Sequence, residues 1–276
     1  MSTLKHQGCV VITGSSKGIG FALAEAFLKQ GKAVVLSARH PTQLKAAQQK
    51  LIEKYSSERV HAVCCDITQA AQVLILWQQA VQYFHEVDIW VNNAGGCTAS
   101  LDFSQIAPHE IQNVIQTNVV GSMLCAQVAV QGMLRQGHGQ IFNMEGWGSR
   151  GEWSHGMTVY STSKAAIRYF THALYKETRG TPILVGTLSP GMVATELLVS
   201  SWKQGNPKYW RKMKRLFYFI IDPPHKVAAF LAQRMCQNQK TNVRIAWMTP
   251  WRLLIRFVQP YYWRRNPVQG TDLDHF

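Results

Sequence analysis

The stretch Gly8–Gly20, GCVVITGSSKGIG, decides the fold class. Cys9, Val10, Val11 and Ile12 form an unbroken apolar run, the pattern of a strand covered on both faces. Small residues follow, and Ile19–Gln30 then carries helical spacing that stops near Gly31. Glycines at 14, 18 and 20 allow a tight turn and let a phosphate approach the backbone closely. The helix that starts behind them offers unpaired N–H groups and the positive end of its dipole. Gly14, Ser15, Ser16, Lys17, Gly18, Ile19 and Gly20 are therefore the candidate pyrophosphate cradle, with the spacing G-x3-G-x-G. A glycine-rich turn with no ligand is the plainer alternative, and the strand-first context argues against it.

The alternation continues outward from this stretch. Lys32–Ala38, Val60–Cys65, Val87–Val91, Gln140–Met144 and Pro182–Leu188 read as further strands. Helical patterns begin at Pro41 and cover Ala70–Phe84, about Glu110–Leu134, and Thr158–Glu177. Apolar strands alternating with helices predict an α/β fold: a doubly wound parallel sheet with helices on both faces. No internal repeat or low-complexity tract divides the chain. The reading is a single domain, with residues 1–200 as the core and residues 201–276 as a lid and C-terminal extension.

The 276 residues are 46% apolar and 16% charged, enough to bury a core and too apolar for a disordered chain. No uncharged apolar run reaches the ~18 residues of a spanning helix. Met1–Gly8 leads almost directly into the first strand, so no secretory or transit segment is expected. Six cysteines show no CxxC pair and no histidine at zinc spacing, which predicts reduced thiols, a cytoplasmic location and no metal site. Cys64 and Cys65 read as filler in a buried strand.

Charge is unevenly placed. Residues 202–276 hold 14 Lys/Arg and 3 Asp/Glu, whereas residues 1–201 hold 15 and 12. Trp202–Ile221 and Pro250–Arg265 interleave these cations with aromatics. An ordinary lid and tail fit this composition, and so does peripheral association with an anionic membrane. Nucleic acid is disfavoured for want of a recognition motif.

The second strand ends at Ser37-Ala38-Arg39. An acidic residue there binds a free ribose hydroxyl, and a basic one suits a 2′-phosphate. Arg39 and Lys17 together point to NADP(H), against the alternative of a solvated loop arginine.

Four further motifs follow in order: Asn92-Asn93-Ala94-Gly95 after the fourth strand, Asn118 within a helix, Tyr160-Ser161-Thr162-Ser163-Lys164, and Pro190-Gly191-Met192-Val193-Ala194-Thr195. With the glycine loop, they resemble the short-chain dehydrogenase/reductase family over about residues 8–200. The resemblance implies a Rossmann-type fold and a homodimer or homotetramer built on the helices carrying Asn118 and Tyr160. It also implies that Asp66 and Ile67 meet the adenine and that Asn93, Ala94 and Gly95 border the cofactor. Pro190, Gly191, Val193 and Thr195 would line the nicotinamide end.

Tyr160 and Lys164 are four apart and share one helix face. An ammonium beside the phenol favours the tyrosinate, so Tyr160 is expected to have a lowered pKa and to act as proton donor to a carbonyl. By resemblance, Lys164 also holds the nicotinamide ribose and Asn118 orders a water leading to it.

The family's serine after the fifth strand is missing, since Gly146 takes its place. Ser149 is the candidate substitute if Gly146 and Gly148 bend the loop back; Glu145 would serve only when protonated. Loss of such a donor costs ~10²–10³ in rate, so a silent NADPH-binding scaffold stands as an alternative. The run Ile141–Ser149, IFNMEGWGS, resembles one branch in particular, the chlorophyll(ide) b reductases. That likeness continues at Thr181-Pro182 and through Ser189–Val193, and implies reduction of a formyl tetrapyrrole with NADPH. Large apolar carbonyls such as retinoids, steroids or quinones are the other substrate reading.

Overall fold

Strands that are apolar throughout have no wet side to alternate towards, so helices must cover both faces of their sheet. The computed structural model describes residues 8–198 and 218–266. Among these, β1 (Cys9–Thr13), β2 (Ala33–Ala38), β3 (Val60–Cys64), β4 (Ile89–Asn92), β5 (Gly139–Met144), β6 (Ile183–Ser189) and β7 (Val243–Ala246) form one sheet in the order β3-β2-β1-β4-β5-β6-β7. Every ladder is parallel. The chain winds from β1 out to β3, then returns to β4 on the other side of β1. The two strand ends diverge there, and the crevice at their C-terminal edge is where such sheets hold ligands.

The α-helices that lie wholly among the described residues are α1 (Gly18–Lys29), α2 (Pro41–Ile52), α3 (Ala70–Phe84), α4 (Pro108–Ile115), α5 (Ser122–Gln136), α6 (Thr158–Glu177), α7 (Pro224–Cys236), α8 (Pro250–Val258) and α9 (Pro260–Arg264). Strand alternation divides the core into two layers. Val10, Ile12, Val34 and Leu36 pack under α1, α2 and α7, whereas Val11, Val35, Trp90 and Ile141 pack under α3 and α5.

The doubly wound parallel sheet agrees with the sequence pattern, and four details differ from it. β7 and α7 lie beyond the elements read from the sequence: four residues are too few to show periodicity, whereas α7 carries Pro224 in its first turn and Val227, Ala228, Leu231, Ala232 and Met235 at helical spacing. The helix expected over Glu110–Leu134 is broken by a π-helical turn, Gln116–Gly121, between α4 and α5. Close packing accompanies the break, since a Cβ on Gly121 would lie 2.7 Å from the Ile67 side chain. Cys64 is exposed, with its thiol donating to the Arg39 carbonyl at 3.5 Å; only Cys65 is buried. The physical reason is that β3 is an edge strand. Lastly, Glu86, Asp88 and His138 gather within 4.8 Å of one another, a cluster that spacing alone did not reveal. It sits at the N-terminal ends of β4 and β5, opposite the crevice.

The expected boundary at residue 200 and the lid cations Lys203, Lys208, Arg211, Lys212, Lys214 and Arg215 lie outside the described residues. The chain beyond them is anchored by Asp222, which is 3% exposed. Its carboxylate accepts from Arg256 Nη2, from Arg265 Nη1 at 2.9 Å and from Trp247 Nε1 at 2.6 Å. Its backbone pairs with Met192 and Ala194. Both guanidiniums also donate to carbonyls of 219–221 and flank the Tyr262 ring. Removing one partner of a buried ion pair strands the other charge. Asp222→Ala is therefore expected to lower the unfolding free energy by about 3–5 kcal/mol, measured by chemical denaturation. A loss below about 1 kcal/mol would show that the cluster does not anchor α8 and α9.

Candidate functional site

At the crevice between β1 and β4 lies an open cavity of about 630 Å³. Its lining includes Gly14, Ser16, Lys17, Gly18, Ile19 and Gly20 from the β1–α1 turn, Arg39 and His40 after β2, and Asp66 and Ile67 after β3. Asn93, Ala94, Gly95, Gly96 and Cys97 follow from β4, with Thr195 and Glu196 closing the rim.

The glycine turn is shaped by close approach. Gly14 and Gly18 have φ of +64° and +59°, conformations that side chains rarely adopt. A Cβ on Gly20 would lie 2.4 Å from the Gly14 carbonyl oxygen and 2.5 Å from Asn93 Nδ2. Asn93 Nδ2 donates to the carbonyls of Thr13 (2.9 Å) and Gly14 (3.0 Å), tying the end of β4 to the end of β1. No side chain caps α1, whose N-cap is Lys17. Its first N–H groups therefore face the cavity without helical partners, as an anion site requires. This donor set and space fit the pyrophosphate of a dinucleotide, with Lys17 and Arg39 as cations lining the cavity. Lys17 is paired with Glu196 across the rim.

Not every predicted cofactor residue borders the cavity. Ser15 turns inward: its hydroxyl donates to the Ile12 carbonyl at 2.7 Å and accepts from Ser37 N at 2.8 Å. Pro190 and Val193 are buried, and Gly191 (φ +70°) packs by Met248. Thr195 does reach the cavity, next to Gly18. Asp66 lines it while its carboxylate accepts from Thr68 N and Oγ1.

Tyr160 and Lys164 stand behind this cavity on α6. A buried polar chain sets their helix against the sheet: Trp90 Nε1 donates to Asn92, Asn92 to Asn143 at 2.8 Å, and Asn143 to Thr171 on α6 at 2.9 Å. Lys164 is 5% exposed; its Nζ donates to the Met144 carbonyl at 3.1 Å and lies 5.7 Å from the Tyr160 ring centre. A Cβ on Gly95 would sit 3.7 Å from that Nζ and 3.2 Å from Asn118 Oδ1, so the missing side chain keeps this floor open. The π-turn aims Asn118 at Gly96, whose N–H it accepts (2.7 Å) and whose carbonyl it bonds (2.9 Å). Its remaining Nδ2 hydrogen goes to Ser163 Oγ at 2.9 Å. Both amide hydrogens are thereby engaged by protein, while the amide oxygen accepts from Gly96.

The expectation of a lowered tyrosine pKa is corrected. Burial, reinforced by Cys97, pushes the Tyr160 hydroxyl above the usual tyrosine range. Burial also pulls Lys164 down to about 8, opposed by Cys97 and Glu145. The desolvation of both groups outweighs the effect of the ammonium on the phenol.

Gly146 lies against Tyr160, and a Cβ there would come 2.3 Å from the phenol oxygen. The loop bends back through Gly148 (φ +88°), and Ser149 closes it. Ser149 Oγ donates to the Gly146 carbonyl at 2.6 Å and accepts from Gly146 N at 3.0 Å. Donating to another oxygen requires it to release that carbonyl. Cys97 and the partner of Glu145 escaped the sequence reading, which weighed Glu145 only as a protonated donor. Glu145, buried, binds Arg244 Nε of β7 at 2.7 Å, 99 positions away. Cys97 lines the cavity beside the Tyr160–Lys164 pair. No local pattern marks either one.

Comparisons with known proteins agree with this fold. The chain belongs to the short chain dehydrogenase family of oxidoreductases, whose sequence model matches residues 8–206 and whose members bind NAD(P)H. Within the family it is similar to a probable chlorophyll(ide) b reductase, chloroplastic, of Oryza sativa subsp. japonica, with 34% identity over 265 residues. It is also similar to a chlorophyll(ide) b reductase, chloroplastic, of Arabidopsis thaliana, with 34% identity over 227 residues. These alignments cover 90% and 80% of this chain and 51% and 63% of the relatives, so the chain spans about half to three-fifths of their length. A solved 3-ketoacyl-(acyl-carrier-protein) reductase from Brucella melitensis, complexed with NADH, shares the fold. Its TM-score is 0.76 at 23% identity, covering 89% of this chain and 98% of that one.

The buried lysine has a pH signature. Folded Lys164 gives up its proton near pH 8, whereas the ordinary value is 10.5. Between these values the unfolded chain binds more protons, so the lysine's destabilising effect is complete below about pH 8 and fades as pH rises towards 10.5. Wild type is expected to gain stability relative to Lys164→Met as thermal unfolding is followed from about pH 7 to about pH 9.5. A constant difference would show that the ammonium is not desolvated.

Proposed function

We propose that this protein is an NADPH-dependent carbonyl reductase acting on a large apolar aldehyde or ketone, with the formyl group of chlorophyll(ide) b as the first candidate. The observation that carries the reading is the pairing of half-buried Tyr160 with buried Lys164 on α6, with Lys164 directly behind Gly95 at the floor of the dinucleotide-sized cavity. Lys17 and Arg39 at the other end of the cavity support NADPH over NADH, because β2 runs into Arg39-His40 with no acid for a free ribose hydroxyl. Likeness to the plant reductases supports the substrate class.

Bound NADPH supplies a hydride to the carbonyl carbon. The chain's part is to manage the oxygen. Tyr160, kept protonated by its surroundings, donates its phenolic proton as negative charge develops on that oxygen. Lys164 lies close enough to offset the charge left on the phenolate. Ser149 turns its hydroxyl from the Gly146 carbonyl to the substrate oxygen and takes the part that Gly146 cannot. Exposed Trp147 and Trp153 on the same loop give a flat apolar ring system surfaces to stack against.

The test is single-turnover absorbance with chlorophyllide b and either NADPH or NADH. Tyr160→Phe is expected to slow conversion to the hydroxymethyl product by about 10²–10⁴. Ser149→Ala is expected to slow it by about 10²–10³. Arg39→Ala should weaken NADPH and leave NADH nearly unchanged. NADPH binding without turnover of chlorophyllide b sinks the tetrapyrrole substrate. Failure of retinoid, steroid and quinone carbonyls as well would leave a cofactor-binding scaffold.

A further inference from the structure

From residue 197 to residue 266 the chain has 14 Lys/Arg and a single acid, Asp222. That acid is buried and held by Arg256 and Arg265, so it presents no charge to the surface. The two arginines pin α8 and α9 to the body from their inner side. The outer side is apolar: Trp251, Leu254, Ile255 and Val258 recur at helical spacing along α8, and Tyr261 and Trp263 extend the face over α9. Trp251 is 73% exposed and Val258 74%, with the other four between 47% and 64%. Arg264 is exposed beside them. Scattered surface apolars are ordinary, but six on one continuous face are not.

We propose that this face of α8 and α9 is a docking surface for an anionic lipid bilayer, lying flat in the headgroup region. Charge decides the occupant. A second copy of the chain would meet a face whose exposed charge is Arg264, on a chain of net charge +14, with no acid in α8 or α9 to pair it. An anionic bilayer supplies the missing negative charge, takes the leucine, isoleucine and valine side chains into its acyl boundary, and accommodates Trp and Tyr at the headgroup level. Among the described residues no helix is long and apolar enough to cross a membrane, so the contact is interfacial. α8 begins just past the C-terminal end of β7, at the sheet edge that opens into the cavity. The proposal does not depend on which carbonyl the enzyme reduces.

The experiment is co-sedimentation of the full chain with vesicles of phosphatidylcholine mixed with phosphatidylglycerol, and with vesicles of phosphatidylcholine alone. Binding is expected to the anionic vesicles, falling as salt is added. Leu254→Glu combined with Val258→Glu should reduce it about tenfold or more, with NADPH binding unchanged. Quenching of tryptophan fluorescence by brominated phospholipid tests the same face in the wild type, without relying on any variant. Three results would overturn the proposal: no binding to anionic vesicles at low salt, binding unaffected by the double substitution without bromolipid quenching, or a self-association abolished by the substitutions while vesicles leave the protein in solution.

Discussion

Asn93 bonds the carbonyls of Thr13 and Gly14, and much of the site depends on those two bonds. They hold the ends of β1 and β4 together where the sheet changes winding direction, so the crevice has a fixed width. They also require Gly20, because any side chain there would collide with Gly14 and with the Asn93 amide. The glycines of the turn thus serve two constraints at once. One is positive φ at Gly14 and Gly18, and the other is the close passage of α1 over the strand end. An uncapped helix start is thereby aimed at the cavity, and a dinucleotide phosphate can meet backbone rather than side chains.

The reactive pair is built on the same principle of enforced closeness. Asn92, Asn143 and Thr171 form a buried chain from β4 through β5 to α6, and every member is satisfied. Such a network is stable only when complete, so it positions α6 more sharply than apolar packing would. Tyr160 and Lys164 are consequently held where burial, rather than their mutual charge, governs their protonation. Water exclusion favours a phenol that keeps its proton until an oxygen nearby demands it, and a lysine that exchanges its own near neutral pH.

Asp222 does for the C-terminal segment what Asn93 does for the crevice. One carboxylate collects two guanidiniums and an indole N–H, while its backbone pairs with the segment after β6. Its burial also removes the only negative charge between residues 197 and 266 from the surface. Internal anchoring and external charge therefore have one cause.

The sequence by itself determined the parallel sheet, the presence of its first six strands, the glycine turn and the Tyr160–Lys164 pair. All of these rest on local signals: an apolar run, a cluster of small residues, a spacing of four on a helix. Helices α3 and α6 were legible to their end residues for the same reason. Tertiary structure decided what depends on distant partners. The π-turn at Asn118 goes with packing against Ile67, the Glu145–Arg244 pair spans 99 positions, and Ser149 is bound to Gly146 by a loop path that spacing does not reveal. It also reversed the expected tyrosine shift, because a pKa follows the solvent that folding removes and not only the charge that sequence places nearby.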